Sequence, residues 1–427
     1  MKYLTDFYLS SKEIDISTIG LILLVPYFEP AAIVHILPQV SRVLAFTRYI
    51  FSLLIILWYI LYLGSNKRLP KAPVVLTFLL FSMFFVSNLI NGKDKNTAIS
   101  YMLNYTALTA LCEMIIDHSY KSFVRSVSPI LNVLVICNFI TMLLFPNGMY
   151  VNLVPITLQT YTENWLLGYD NTAIIVILPA ILFAVVRAWY IDEKYSLIST
   201  VILVISVVSI VRSWVATTLV SISIFILVYI LIKSGGEVQR IGAIINSMIY
   251  LIATIAAFLV LSVFQLTDLY SSFVEKVMRK NITFSGRIRI WGMSIASTLR
   301  KWQIGYGFDE MDGLERLRNT GLSSTHNTYL WFFYIGGIIA FITFIVYIVL
   351  ISKRMYKYRY HKITILSSTA LFGFYIMWLM EAIYSLPEFA FICAMYYITD
   401  EEVMDELISS FQQPELLLRI RIFPGRD

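Results

Sequence analysis

Long apolar runs alternate with short polar breaks along almost the whole chain, and the runs are too long for the buried elements of a water-soluble fold. A helix needs roughly 20 apolar residues to cross the hydrocarbon core, and it satisfies its own backbone hydrogen bonds there, so each run predicts a membrane-spanning helix. The pattern gives about twelve: 17–38, 44–63, 73–91, 97–117, 127–146, 171–190, 196–211, 214–232, 241–264, 327–350, 364–383 and 386–399. The seventh and twelfth are short, which leaves tilting, re-entry or merger with a neighbour open for both. The expected fold is all-α, a polytopic transmembrane helical bundle forming one domain over residues 1–427. One large hydrophilic loop, Gln265 to Thr325, interrupts it, and a tail over 400–427 follows it.

Composition agrees with the pattern: 58% of residues are hydrophobic and 14% charged, which excludes an ordinary soluble domain. Charge then orients the bundle, because Lys and Arg in short loops favour the cytoplasmic side. With the N-terminus inside, the inner loops hold Lys67, Arg68 and Lys71; Lys121 and Arg125; Lys233 and Arg240; and Lys353, Arg354, Lys357, Arg359 and Lys362. The stretch from Pro146 to Asp170 contains no Lys or Arg and fits the outside, although Lys93 and Lys95 run against the scheme. The hydrophilic loop then faces outward and the C-terminal tail inward. The net charge of +6 reflects these topological cations and does not imply nucleic acid.

Cys112, Cys137 and Cys393 all fall in predicted spans, where a thiol is ordinary packing, and no metal-ligand spacing occurs. The first apolar run contains Pro26, Glu29 and Pro30 and reads as an uncleaved span. Near the end, Thr399-Asp400-Glu401-Glu402 fits a capping box, with Val403, Leu407 and Phe411 at helical spacing; an amphipathic helix ending near Pro414 is expected.

Candidate chemistry concentrates in and around the hydrophilic loop. Its cations, Lys276, Arg279, Lys280, Arg287, Arg289, Arg300, Lys301, Arg316 and Arg318, outnumber its acids, which suits an anionic substrate as well as a solvated surface. Arginine is apt for a diphosphate because its planar fork donates paired hydrogen bonds and stays charged. Arg212 interrupts an apolar run at the junction of two spans, so it either faces a wet cavity or partner or snorkels to head groups. His326 follows the cap candidates Ser324 and Thr325, which puts it in the first turn of a membrane helix. A helix N-terminus disfavours a cation there and favours the neutral imidazole that a general base requires. A bond to a head group or a carbonyl is the bland alternative. Glu29, Glu381 and Asp170 are polar groups in or near spans, able to line a cavity, with open roles. Tyr161, Trp165, Trp291, Trp302, Tyr329 and Trp331 gather near the outer boundary, as interfacial aromatics do, rather than necessarily to stack on sugars.

In order and context these residues resemble the O-antigen polymerase and ligase superfamily, integral-membrane envelope glycosyltransferases of the GT-C type. Ser285-Gly286-Arg287 with Trp291 looks like its S-G-R-x-x-x-W element, Gly305-Tyr306-Gly307 like its G-x-G element, and His326-Asn327 with Tyr329-Leu330 and Gly336-Gly337 like its H-N-x-x-L helix start. Gly168-Tyr169-Asp170-Asn171 is similar to a Gly-to-Asn segment before a helix, and Ser209 to Arg212 to a Ser-x-x-Arg region, here followed by Ser213-Trp214 where glycine is more usual. The resemblance implies glycosyl transfer at the outer face of a bacterial plasma membrane, from a glycan carried on undecaprenyl diphosphate to an acceptor hydroxyl. By carry-over His326, Arg287 and Arg212 are catalytic: the histidine orients or takes the acceptor proton while the arginines hold the diphosphate. Asn171, Arg289, Trp291 and Asn327 become substrate contacts, with Arg289 at a variable position of its motif. No metal and no cofactor are demanded, since a diphosphate is already a competent leaving group. A polymerase joining lipid-linked repeat units of O-antigen, capsule or exopolysaccharide is the reading adopted, with membrane lipid, a chain-length regulator and a flippase as implied partners. A ligase with a lipid A-core acceptor, a lipid-linked oligosaccharide flippase and a non-catalytic assembly subunit are the alternatives.

Overall fold

The computed structural model describes residues 15–153, 161–168, 170–235, 237–263, 287–308 and 324–410. It is an all-α bundle with, among the described residues, ten helices long and apolar enough to cross a membrane, and the chain is a multi-pass membrane protein. The first apolar run is not one span. It breaks into α1 (Ile16–Leu24), a 3-10 turn (Val25–Tyr27) and α2 (Ala31–Ile36), because Pro26, Pro30 and Pro38 each withdraw a backbone donor. There follow α3 (Pro38–Asn66), α4 (Ala72–Asn91), α5 (Lys95–His118) and α6 (Tyr120–Leu144), then a small antiparallel hairpin of β1 (Tyr150–Leu153) and β2 (Tyr161–Asn164) with Tyr150 opposite Asn164. Next come α7 (Asp170–Tyr190), α8 (Ser196–Ser213), α9 (Ala216–Lys233), α10 (Val238–Ile244) and α11 (Ser247–Phe258), which runs into a π turn (Leu259–Val263). The last described helices are α12 (Arg287–Arg300), α13 (Thr328–Lys357), α14 (Lys362–Met380), α15 (Leu386–Tyr397) and α16 (Glu401–Ser409). Two of the sequence-based spans change status. With its leading 3-10 turn, the seventh covers Glu193–Ser213 and is long enough to cross, whereas the twelfth is the 12-residue α15, about 18 Å long and too short. Within the bundle, α7 and α14 are the most enclosed spans and α3 the most peripheral.

One element departs sharply from its apolar pattern. Within α13, Gly337 has φ +69° and ψ −165°, which no helix accommodates. The rings of Phe332 and Phe344 lie 4.5 Å apart and those of Tyr329 and Phe344 5.9 Å apart. On a straight helix, residues 12 apart would be about 18 Å apart, so the chain reverses at Gly337. Residues 328–336 and 338–357 thus form a helical hairpin. The reversal is held by the chain just after α12: the Tyr306 and Gly307 amides donate to the Tyr334 and Ile335 carbonyls (2.8 and 3.0 Å), and the Ile338 amide donates to the Trp302 carbonyl (2.8 Å). A Cβ on Gly305 would lie 2.4 Å from the Ile335 oxygen, and one on Gly337 2.4 Å from the Gln303 oxygen. The two glycine motifs therefore meet as one backbone seam, where a side chain cannot fit.

The chain alternates between two faces. The β hairpin, the 324–327 turn and the ends of α4, α6 and α8 share one; the runs Lys67–Lys71, Lys121–Arg125, Lys233–Arg240 and Lys353–Lys362 lie at the other. At this second face Lys71 bridges Asp117 (2.6 Å) and Asp400 (3.5 Å), and Arg354 pairs with Asp400. The expected capping box Thr399–Glu402 does not form: Asp400 takes the N-cap position with its carboxylate turned to these cations, and the Thr399 hydroxyl donates to the Tyr396 carbonyl (2.9 Å). Val403, Met404 and Leu407 of α16 are buried, and Ser119 donates to Glu406 (2.8 Å), so the amphipathic helix packs on the bundle. Phe411 and Pro414 lie outside the described residues.

Candidate functional site

Glu381 joins the two strongest sequence candidates. Its carboxylate, 6% exposed, accepts from the Arg287 guanidinium on Oε1 and faces His326 Nδ1 at 3.0 Å on Oε2. The three residues come from three separated segments: the first residue of α12, the turn before α13 and the residue after α14. A buried carboxylate is costly without partners, and here a fixed cation and an imidazole supply them.

The turn carrying His326 is tightly held. Helix α13 starts one residue later than expected, with Asn327 as N-cap: its Oδ1 accepts from the Leu330 amide (3.0 Å) and its Nδ2 donates to the Leu379 carbonyl (3.1 Å). Ser324 instead accepts from the amide of His326 itself (3.1 Å). His326 therefore lies outside the first helical turn, with a left-handed backbone (φ +44°) that is uncommon for a residue with a Cβ and marks a constrained site. Trp291, fully buried, donates its indole N–H to the His326 carbonyl (3.2 Å). The Thr328 hydroxyl donates to the Glu381 carbonyl (2.8 Å) and accepts from the Ile383 amide (2.9 Å). Trp291 and Asn327, expected as substrate contacts, thus turn inward and brace the His326 turn.

This bracing sets the chemistry of the imidazole. A carboxylate only accepts, so in the neutral ring Nδ1 carries the proton and donates to Glu381, leaving the Nε2 lone pair free. The side chain is 32% exposed, and no described residue bonds to Nε2. A base oriented through its far nitrogen by a buried acid is the arrangement that keeps a histidine in the correct tautomer during proton transfer.

Arg212 goes elsewhere. It ends α8, is exposed, and its Nη2 donates to the Pro146 carbonyl (3.3 Å); α8 packs on α6, α7 and α9. Among the described residues it shares no partner with Arg287 or His326. The side chains of Arg289 and Asn171 lie outside the described residues, as do Ser285, Gly286, Arg316 and Arg318. Glu29, another open sequence candidate, forms a half-buried ion pair with Arg48 (3.3 Å) of the peripheral α3.

Two surroundings complete the site. An apolar groove between α11 and the α13 hairpin, lined by Thr254, Phe258, Tyr329, Phe341 and Ile345, reaches Tyr329, three residues from His326. On the side of the extended segment 381–385, Trp331 stacks on Tyr384 (5.8 Å), with Phe308 and Tyr101 against them. The buried Trp331 indole N–H has no partner among the described residues. Tyr329 lies level with Phe344, seven residues past Gly337, so His326 and Glu381 are recessed about 10 Å below the reversal.

Sequence reasoning missed Glu381 as the hub. Its signal was present, a lone acid ending an apolar run of 18 residues, but nothing in the pattern linked it to residues 55 and 94 positions away. Comparisons with family models, curated proteins and solved structures find no match to this chain.

Proposed function

We propose that the chain is a membrane glycosyltransferase that joins glycans carried on a polyprenyl diphosphate, and that it acts as a polysaccharide polymerase. The observation that carries this reading is the convergence of Arg287 and His326 on the two oxygens of Glu381. His326 Nε2 takes the proton of an acceptor sugar hydroxyl, whose oxygen attacks the anomeric carbon. The bond from that carbon to the diphosphate breaks, and undecaprenyl diphosphate leaves with the electron pair. Arg287 stabilises the charge that grows on the leaving phosphate, a role suited to a guanidinium in a recessed site. Glu381 holds the imidazole tautomer and keeps Arg287 in place until an anion replaces it.

The surroundings fit such a substrate. The groove ending at Tyr329 suits a prenyl tail arriving from the lipid, and the aromatic wall around Trp331 and Tyr384 suits a sugar face. The basic runs at the second face favour a cytoplasmic position for it by the positive-inside rule, and on that reading the site opens outward. Undecaprenyl-linked donors point to a bacterial plasma membrane.

Reconstitution of the purified protein with lipid-linked repeat units tests the reading. Chain elongation by the wild type is expected, with His326→Ala reducing it to background and Arg287→Lys lowering it at least tenfold despite the retained charge. Movement of the lipid across the bilayer without elongation would replace the polymerase by a flippase.

A further inference from the structure

A second cavity lies at the far end of α12 from Arg287. Thirteen residues separate Arg287 from Arg300, about 20 Å along the helix, so this cavity is distinct from the Glu381 site. Its volume is about 400 Å³, and Asn91, Arg300, Lys301, Trp302 and Gln303 line it together with Ile90. That volume suits a small organic group better than a bare ion, since small-molecule sites run from about 300 to 1,000 Å³. Among the described residues, two cations line it and no carboxylate does.

Cations near a helix C-terminus need no ligand to explain them, because the macrodipole favours them there. Three further observations point to a ligand. Arg300 has no hydrogen bond or ion pair among the described residues, and Lys301 has only neutral partners, Asn91 Oδ1 (2.8 Å) and the Tyr306 ring (5.0 Å). The wall is pre-formed: the Asn91 amide donates to the Gly305 carbonyl (3.1 Å), the Gly305 amide to the Lys301 carbonyl (2.8 Å), and the Trp302 carbonyl is fixed by the α13 reversal. The rim is amphipathic, with Trp302 47% and Ile90 58% exposed beside the polar groups, the pairing of indole and aliphatic surface found at the boundary between lipid and water.

We propose that this cavity binds the anionic, phosphate-bearing headgroup of a membrane amphiphile, with Arg300 and Lys301 on the phosphate and Trp302 and Ile90 against its acyl or prenyl root. The proposal does not depend on the glycosyl-transfer reading, and its test reads binding alone. Purified full-length protein in detergent is titrated with short-chain phosphatidylglycerol, with short-chain phosphatidylcholine and with inorganic phosphate, and affinity is followed by tryptophan fluorescence. Tighter binding of phosphatidylglycerol than of phosphatidylcholine is expected, weakened about 10- to 100-fold in Arg300→Gln/Lys301→Gln and retained in Lys301→Arg, as loss of charge-assisted bonds requires. Because Arg300 is exposed and unpaired, Arg300→Gln alone should keep the thermal midpoint of the wild type and still lose part of the affinity. Saturation by inorganic phosphate with displacement of the lipid would keep the anion site but assign it to free phosphate. Equal affinity for the two lipids, or an unchanged affinity in Arg300→Gln and in the double variant, overturns the proposal.

Discussion

At the scale of single residues, Glu381 does two jobs through one carboxylate, and substitutions separate them. Glu381→Gln keeps the size and can still accept from Arg287, but it no longer presents an ionised acceptor to His326 Nδ1. In the proposed mechanism it should lower kcat by about 10²- to 10⁴-fold, the range typical of positioned acid–base chemistry, with little change in KM. Glu381→Asp should recover part of that loss, and steady-state elongation kinetics on reconstituted protein check both. A purely structural role for Glu381 would instead lower the amount of folded protein and leave the kcat of the surviving fraction unchanged. The sequence exposed His326 and Arg287 because each sits in a recognisable local word, whereas Glu381 stands alone and acquires meaning only through contacts across 55 and 94 positions. Arg212 carries a weaker local word, followed by Ser213-Trp214 in place of the usual glycine, and its guanidinium bonds to the Pro146 carbonyl.

At the scale of elements, apolar periodicity located most helices well and failed where backbone rather than side chains decides. The run that begins near residue 328 is apolar on both sides of Gly337, so composition reads it as one span, and only a positive φ turns it into a hairpin. Proline broke the first run for a reason the sequence displayed, and the short α15 was flagged by length alone. The reversal makes a sharp prediction. Gly337→Ala adds a Cβ at 2.4 Å from the Gln303 oxygen and forces a left-handed backbone costing roughly 1–2 kcal/mol before any clash is counted. It should lower the thermal midpoint in detergent and reduce elongation together, while Gly64→Ala, at a position with open space around it, should do neither.

At the scale of the whole molecule, the two faces differ in chemistry: one carries the recessed site, the other a network of Lys71, Asp117, Arg354 and Asp400 that ties α16 to the bundle. His361 begins α14 on that second face, and burial holds its imidazole below the ordinary value of 6.5. The unfolded chain therefore binds this proton first as pH falls, so the contribution to stability is present above about 6.5 and declines below it. Thermal midpoints measured from pH 8 to pH 5 should fall across this window, and His361→Gln should flatten the decline. Loop charges read in the sequence supply the face assignment on which the proposed function rests. The fact that the site lies below the surface does not follow from them, because depth depends on which way residues 328–336 run.

The seam between residues 302–307 and the Gly337 reversal has a practical consequence. Both flanks of the stretch 309–323 are anchored independently, one by this seam and the other by the Asn327 cap and Trp291. A short epitope placed between Asp312 and Arg318 should leave membrane abundance and elongation near wild type and become labelled on intact cells from outside. The protein thus carries, beside its proposed reaction centre, a position from which its orientation can be read without disturbing it.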